Sequence, residues 1–180
     1  ELEKVEAIIS KIASDPEDED VRRVELELWK KIREKALKGR RTGLGITAEG
    51  DMLAALGLRY GSEEAIDFAV EVHKTLAVEA YRASVMMAKD RGAFGVFNFE
   101  KEQNNPMIKR ILAEAPELEE LMREYGRRNI AMLTIAPTGT TSLMSQTTSG
   151  IEPVFRPVYK RRRKINPSDK DQVASFVDET

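Results

Sequence analysis

The chain has 180 residues, 41% of them hydrophobic and 33% charged, with a formal net charge of −2. A length of this order suits one domain that buries roughly 70% of its unfolded surface, and so small a net charge excludes bulk attraction to nucleic acid or to an anionic membrane. With no cysteine and a single histidine, His73, these residues exclude disulfides, thiolate ligands, cysteine nucleophiles and multi-histidine metal centres.

Leu2, Val5, Ile8, Ile9 and Ile12 recur at helical spacing and predict an amphipathic first helix. The opening residues are acidic and amphipathic, unlike a targeting signal, and no apolar run reaches membrane-spanning length. A cytoplasmic setting with no membrane partner is therefore expected. Glu1 is not preceded by an initiator methionine, which suggests a piece of something longer. Asp15 and Pro16 suit the cap and first position of a second helix, with Glu17, Asp18 and Glu19 in its first turn. Val21, Val24, Leu28 and Ile32 carry its apolar face, and Trp29 is expected to be a partly buried anchor.

Arg40 to Thr47, punctuated by Gly43 and Gly45, reads as a short strand closely approached by neighbouring backbone. A brief helix over Asp51 to Leu56 ends at Gly57. Gly61-Ser62 opens the longest helix, with Ala65, Phe68, Ala69, Val72, Leu76 and Ala80 on its buried face and Gly92 closing it. His73 sits at the edge of that face as a structural or surface residue. Met52, Met86, Met87 and Met132 read as core filler. Ala93 to Phe97 suggests a short extended segment, and Asn105-Pro106 and Ala115-Pro116 announce two further helices, the second closing at Gly126.

Asn129 to Ala136 (NIAMLTIA) has six apolar residues in eight and predicts a strand buried on both faces. Pro137 ends it, and Thr138, Gly139, Thr140, Thr141 and Ser142 follow, with a helix opening at Leu143–Gln146. A strand feeding a glycine-bearing turn and a helix start offers unpaired N–H groups and hydroxyls to an anion. The simpler reading is a strand-to-helix loop whose hydroxyls only cap the helix. Pro153 to Ile165 reads as extended and ends in Arg161-Arg162-Arg163-Lys164, a solvated strand end or, less simply, a nucleic-acid patch without interleaved aromatics. Helices alternating with short glycine-bearing strands imply an α/β class, divided as residues 1–39 (helical), 40–165 (the strands and the turn) and 166–180 (a polar tail).

Four stretches carry a resemblance. APTGTTSLMSQTTSGIEPVF (Ala136–Phe155) resembles the substrate-phosphate segment of the ribonucleotide reductase large, catalytic subunit. GRRTGLGITAEGDMLAALGLRYGSEEA (Gly39–Ala65), AYRASVMMAKDRGAF (Ala80–Phe94) and YGRRNIAMLTIAP (Tyr125–Pro137) are similar to the stretches before it. Val24–Gly43 and Val158–Asp171 are most similar to the adenosylcobalamin-dependent class. The resemblance implies the helix-rich part of a ten-stranded α/β barrel. It also implies that Pro137, Thr138, Gly139, Thr140, Thr141 and Ser142 bind the phosphates of a ribonucleotide, and it sets the loop of residues 146–152, otherwise a polar surface loop, beside that pocket, with Thr148, Ser149 or Glu152 lining it.

The family's chemistry, on this resemblance, is radical reduction of a ribonucleotide. A cysteine thiyl generated with adenosylcobalamin takes the ribose 3′ hydrogen, and a cysteine pair, re-reduced by a thiol reductant such as thioredoxin, supplies electrons. None of those cysteines is present, so the expectation is a fragment that is inactive alone and needs the remainder of the reductase chain. The family pattern leads one to expect a small or apolar residue where Glu49 stands, and a buried carboxylate there requires a partner. The alternative function is a non-catalytic phosphate-binding module derived from the same fold, and no nucleic-acid partner is expected.

Overall fold

In the computed structural model the described residues are 2–156, 158, 161–164 and 176–179. They form two compact units: Glu1–Gly45 with Glu63–Ala136, and Ile46–Ser62 with Pro137–Thr180.

The first unit begins with α1 (Leu2–Ala13) and α2 (Glu19–Gly39), packed as a helical pair. Asp18, rather than Asp15, caps α2: its carboxylate accepts from the Asp20 amide, while Asp15 accepts from the Glu17 amide in the preceding turn. The expected apolar face of α2 is also corrected. Val21, Val24, Leu28 and Ile32 are exposed, and the half-buried positions are Arg22, Leu26, Trp29, Arg33, Ala36 and Leu37. Arg33 is drawn to that face by Glu6 of α1, at 2.7 Å. The half-buried face thus combines Leu26, Trp29 and Leu37 with an exposed ion pair of small energetic weight, and the stripe of Val21, Val24, Leu28 and Ile32 is left bare.

α4 (Glu63–Arg91), α5 (Phe99–Glu102), α6 (Pro106–Glu114) and α7 (Glu117–Tyr125) build the core. Their boundaries follow local chemistry. Asn105 accepts from the Met107 amide ahead of Pro106, and Gly92 and Gly126 take positive φ where α4 and α7 stop. Val85, Ile108, Leu118 and Met122 are buried to 1% exposure or less, and each such side chain contributes about 1.5–3 kcal/mol relative to exposure. On α4 the expected Ala65 is buried, Ala69, Val72, Leu76 and Ala80 are half-buried and Phe68 is exposed, and the burial continues along the helix at Tyr81, Ser84, Val85 and Ala88. Met132 is core, whereas Met86 and Met87 face outward. Ala93 to Phe97 forms a turn, not a strand, closed by the Phe97 amide on the Phe94 carbonyl with the two rings edge to face.

Glu117, at the first position of α7, pairs with Arg82 of α4 at 2.6 Å. A hydrogen bond from its own backbone amide, and then Arg82, hold its carboxyl below the ordinary value. A depressed carboxyl favours the fold above its unfolded-state pKa, and that contribution is lost as pH falls through the folded-state value. Arg82→Gln should raise the Glu117 titration midpoint in an NMR pH series. An unmoved midpoint would show that the ion pair does not form.

Two extended segments meet in this unit. The amides of Thr42 and Leu44 donate to Ala131 and Met132, and the Thr134 amide donates back to Leu44, giving one parallel bridge between Leu44 and Leu133. The expected close approach is present: a Cβ at Gly43 would lie 2.7 Å from the Thr134 methyl, and one at Gly45 would fall on the Thr134 carbonyl. The expectation of a strand buried on both faces is corrected. Asn129 and Met132 are buried, while Ala131, Thr134 and Ile135 are exposed; Met132 joins the helical core, and the exposed positions are not covered among the described residues.

The second unit holds α3 (Glu49–Ala55), α8 (Gly139–Ser145) and an antiparallel ribbon of β1 (Arg161–Lys164) and β2 (Phe176–Glu179), paired Arg161 to Glu179 through Lys164 to Phe176. Most of the polar segment from residue 166 lies outside the described residues, as do the side chains of Arg161 to Lys164. The described chain is thus helix-rich, with one parallel bridge and one two-stranded ribbon, and these residues do not by themselves display a closed barrel. No described helix is long and apolar enough to cross a membrane.

Candidate functional site

The turn expected to carry the function begins where the extended segment ends. Thr138 adopts a left-handed conformation (φ 48°, ψ 23°), which reverses the chain and starts α8 at Gly139, earlier than the apolar pattern of Leu143 suggests. Positive φ is uncommon for a β-branched residue, and here three segments hold it. The Thr138 hydroxyl lies 2.9 Å from that of Thr47 and accepts from the Gly150 amide at 2.7 Å. The Thr47 hydroxyl reaches the Thr148 carbonyl at 3.4 Å, and the Thr148 amide donates to Asp51 of α3 at 2.8 Å.

These bonds fasten the loop of residues 146–152 onto α3. Tyr60 donates to the Ile151 carbonyl, and the Glu49 amide donates to Gly150. Gly50 permits the contact, because a Cβ there would stand 2.7 Å from the Glu152 carbonyl. Glu49 is 7% exposed, and it is not without a partner.

The six expected residues separate into two roles. Thr138 and Ser142 face inward: Ser142 is 7% exposed and donates to the Gly139 carbonyl at 2.8 Å. Their hydroxyls shape the turn. Pro137, Gly139, Thr140 and Thr141 are exposed. The hydroxyls of Thr140 and Thr141 have no protein partner among the described residues, and neither do the amides of Gly139, Thr140 and Thr141. A Cβ built at Gly139 meets nothing within 4 Å. The bend therefore presents three backbone donors and two hydroxyls outward in a row, which is chemistry for an oxyanion.

Sequence reasoning missed Thr47 and Asp51 as parts of this framework; the only signal was a threonine and an aspartate flanking a helix start. Of the loop candidates, Thr148 is half-buried and bonded inward through its amide, whereas Glu152 is exposed. His73 lines a cavity of about 380 Å³ with Leu44, Leu76, Met107 and Leu133 in the first unit. Among the described residues there is no cluster of three or more acidic or histidine side chains that would hold a metal ion.

Comparison with known proteins bears on this geometry. The family model for the ribonucleotide reductase barrel domain matches residues 20–175. A vitamin B12-dependent ribonucleoside-diphosphate reductase of Mycobacterium tuberculosis (strain ATCC 25618 / H37Rv) is 35% identical over 128 residues, covering 71% of this chain and 15% of that protein. One named likewise from Thermoplasma acidophilum is 32% identical over 122 residues, covering 68% of this chain and 14% of that protein. A ribonucleoside-diphosphate reductase subunit alpha of Treponema pallidum is 28% identical over 128 residues, covering 69% and 15%. The chain thus spans about one-seventh of the length of these relatives. With the match running from α2 through the threonine-rich bend, the chain belongs to the ribonucleotide reductase barrel-domain family.

Proposed function

We propose that this sequence supplies the substrate-phosphate segment of a ribonucleotide reductase, with Gly139, Thr140 and Thr141 as the groups that touch the phosphates. The observation that carries the reading is the outward row of unpartnered amides and hydroxyls at the bend of a family member. Thr138 and Ser142 act as positioning residues, and Pro137 ends the extended segment ahead of them. In the complete enzyme this segment forms part of the ten-stranded barrel, and reduction to the deoxyribonucleotide takes place on cysteines that these residues lack. The chain alone is therefore inactive as a reductase, and its partners are the ribonucleotide, the remainder of the reductase and, for turnover, a thiol reductant such as thioredoxin.

The names of two relatives favour adenosylcobalamin as the radical source. The described residues do not fit that cofactor. A cavity of about 660 Å³ in the first unit is of a size for a compact ligand rather than a corrin, and it is lined by cations. Cobalamin is accordingly assigned to the remainder of the enzyme.

Gly139→Leu separates binding from folding. Its side chain meets open space in the free protein, so stability should change by no more than about 0.5 kcal/mol. In a complete reductase carrying this segment, the leucine blocks approach of a phosphate to the backbone, and substrate Kd should rise at least tenfold, about 1.4 kcal/mol. Equilibrium binding of the nucleotide measures it, and unchanged affinity with an intact fold would refute the assignment. Thr140→Val with Thr141→Val removes two hydroxyls. At about 1.5–3 kcal/mol for each bond to a charged group, it should weaken binding further while leaving the chemical step unchanged once substrate is saturating.

A further inference from the structure

The first unit carries a cluster of positive charge that the reductase reading does not use. Where α2 and α4 end side by side, Lys35, Arg40, Arg41, Arg91 and Arg128 surround a cavity of about 660 Å³, with Glu3 as the one carboxylate on its wall. None of the five cations has an ion pair with a carboxylate among the described residues, whereas Arg23, Arg33, Arg82 and Arg123 each have one.

A structural role accounts for part of this. Cations belong at helix C-termini, where the dipole places about half an elementary negative charge. Arg128 donates to the carbonyls of Arg91 and Gly92 at 2.7 and 2.9 Å, which satisfies the end of α4. Two helix ends and Glu3 offset about two positive charges, so a surplus of about three remains around one cavity. The crowding is felt locally: desolvation first, and then the charges of Arg40 and Arg91, push Arg128 below its ordinary value.

The backbone that holds these cations is tied down by buried hydrogen bonds. Arg40 takes a left-handed conformation (φ 47°) that caps α2, and its carbonyl accepts from Asn129 at 2.8 Å. Asn129 in turn exchanges hydrogen bonds with buried Ser84, at 2.9 and 3.1 Å. Arg40 and Arg128 are thereby fixed from behind, while the side chains of Arg41 and Arg91 are exposed and make no hydrogen bond within the described residues. Guanidinium groups with free forks suit phosphate oxygens, which they grip in pairs. Leu2, Ala36 and Met87 give the cavity an apolar side as well.

From this geometry we infer a second anion site, between the C-terminal ends of α2 and α4, that takes a small molecule carrying two or more linked phosphates. It is independent of the threonine-rich bend and uses none of its residues.

The test is isothermal titration of the full chain with inorganic tripolyphosphate. A saturable component that depends on Arg41 and Arg91 is expected at this cluster, separate from any binding at the bend and weakening steeply as salt is raised. Arg41→Gln with Arg91→Gln removes two cations whose side chains hold nothing in the fold, and should weaken this binding at least tenfold with the circular dichroism spectrum retained. Lys35→Glu, on the exposed side of α2, is the second variant and should act in the same direction. Thr140→Val with Thr141→Val removes only phosphate binding at the bend and should leave the arginine-dependent, salt-sensitive component in place. Three results would overturn the inference. They are no saturable binding, binding lost with the threonines but kept without the arginines, and loss of binding in a complete reductase because an acidic segment covers the cluster.

Discussion

Arg127→Met should cost about 3–5 kcal/mol, the range for removing one partner of a buried ion pair. Arg127 is 4% exposed, and its guanidinium makes bonds of 2.6–2.9 Å to the carboxylate of Glu102, whose side chain is 19% exposed. The same group donates to the carbonyls of Asn129 and Ile130 and lies over the rings of Tyr81 and Phe94. Methionine fills much of the space and satisfies none of these acceptors. Glu102 is then left charged in a partly desolvated place, and two carbonyls lose their donor. Urea denaturation of the full chain should show the loss, and Glu102→Leu added to Arg127→Met should recover part of it, because replacing both members by apolar groups costs less than orphaning one. Arg127→Lys should not rescue, since an ammonium lacks the planar fork that reaches the carboxylate and the carbonyls together. A loss below about 1 kcal/mol for Arg127→Met would mean the pair behaves as an exposed one.

Gly45→Ala should be nearly as damaging for a steric reason. A methyl there falls on the carbonyl oxygen of Thr134, whose own amide is bonded to Leu44. The oxygen belongs to backbone, so no rotamer change relieves the overlap and the two extended segments must separate. Overpacking of this kind costs about 1–3 kcal/mol and sometimes more. The distinguishing readout is hydrogen exchange at the Leu44 and Thr134 amides, which should accelerate together while the amides of α6 and α7 keep their protection. Gly57→Ala is an informative contrast. It meets no atom within 4 Å, but its φ of 72° charges a conformational cost alone.

The sequence was most legible where a residue type has one local use. Gly92 and Gly126 close helices, Asn105-Pro106 opens one, and Gly43 and Gly45 mark the close backbone approach, as their chemistry requires. It was less legible where partners decide. On α2 the apolar stripe of Val21, Val24, Leu28 and Ile32 reads as the buried face by hydrophobicity, yet the half-buried one holds Leu26, Trp29 and Leu37 beside Arg22 and Arg33. At the bend, all four hydroxyl residues from Thr138 to Ser142 look alike on paper. Only the positions of Thr47 and Gly150, about ninety residues apart or twelve away along the chain, tell that Thr138 is an internal tie and Thr140 is not.

The tie made by Thr138 has a consequence for whatever docks at the bend. A loop free to wander must surrender that freedom when a ligand lands, and each immobilised element subtracts from affinity. Here the left-handed residue and its two hydroxyl contacts have already fixed the path of the chain, so an incoming phosphate meets donors standing ready. Valine at that position would keep the shape of the side chain yet unfasten the loop, and the penalty should emerge as slower capture as well as weaker retention.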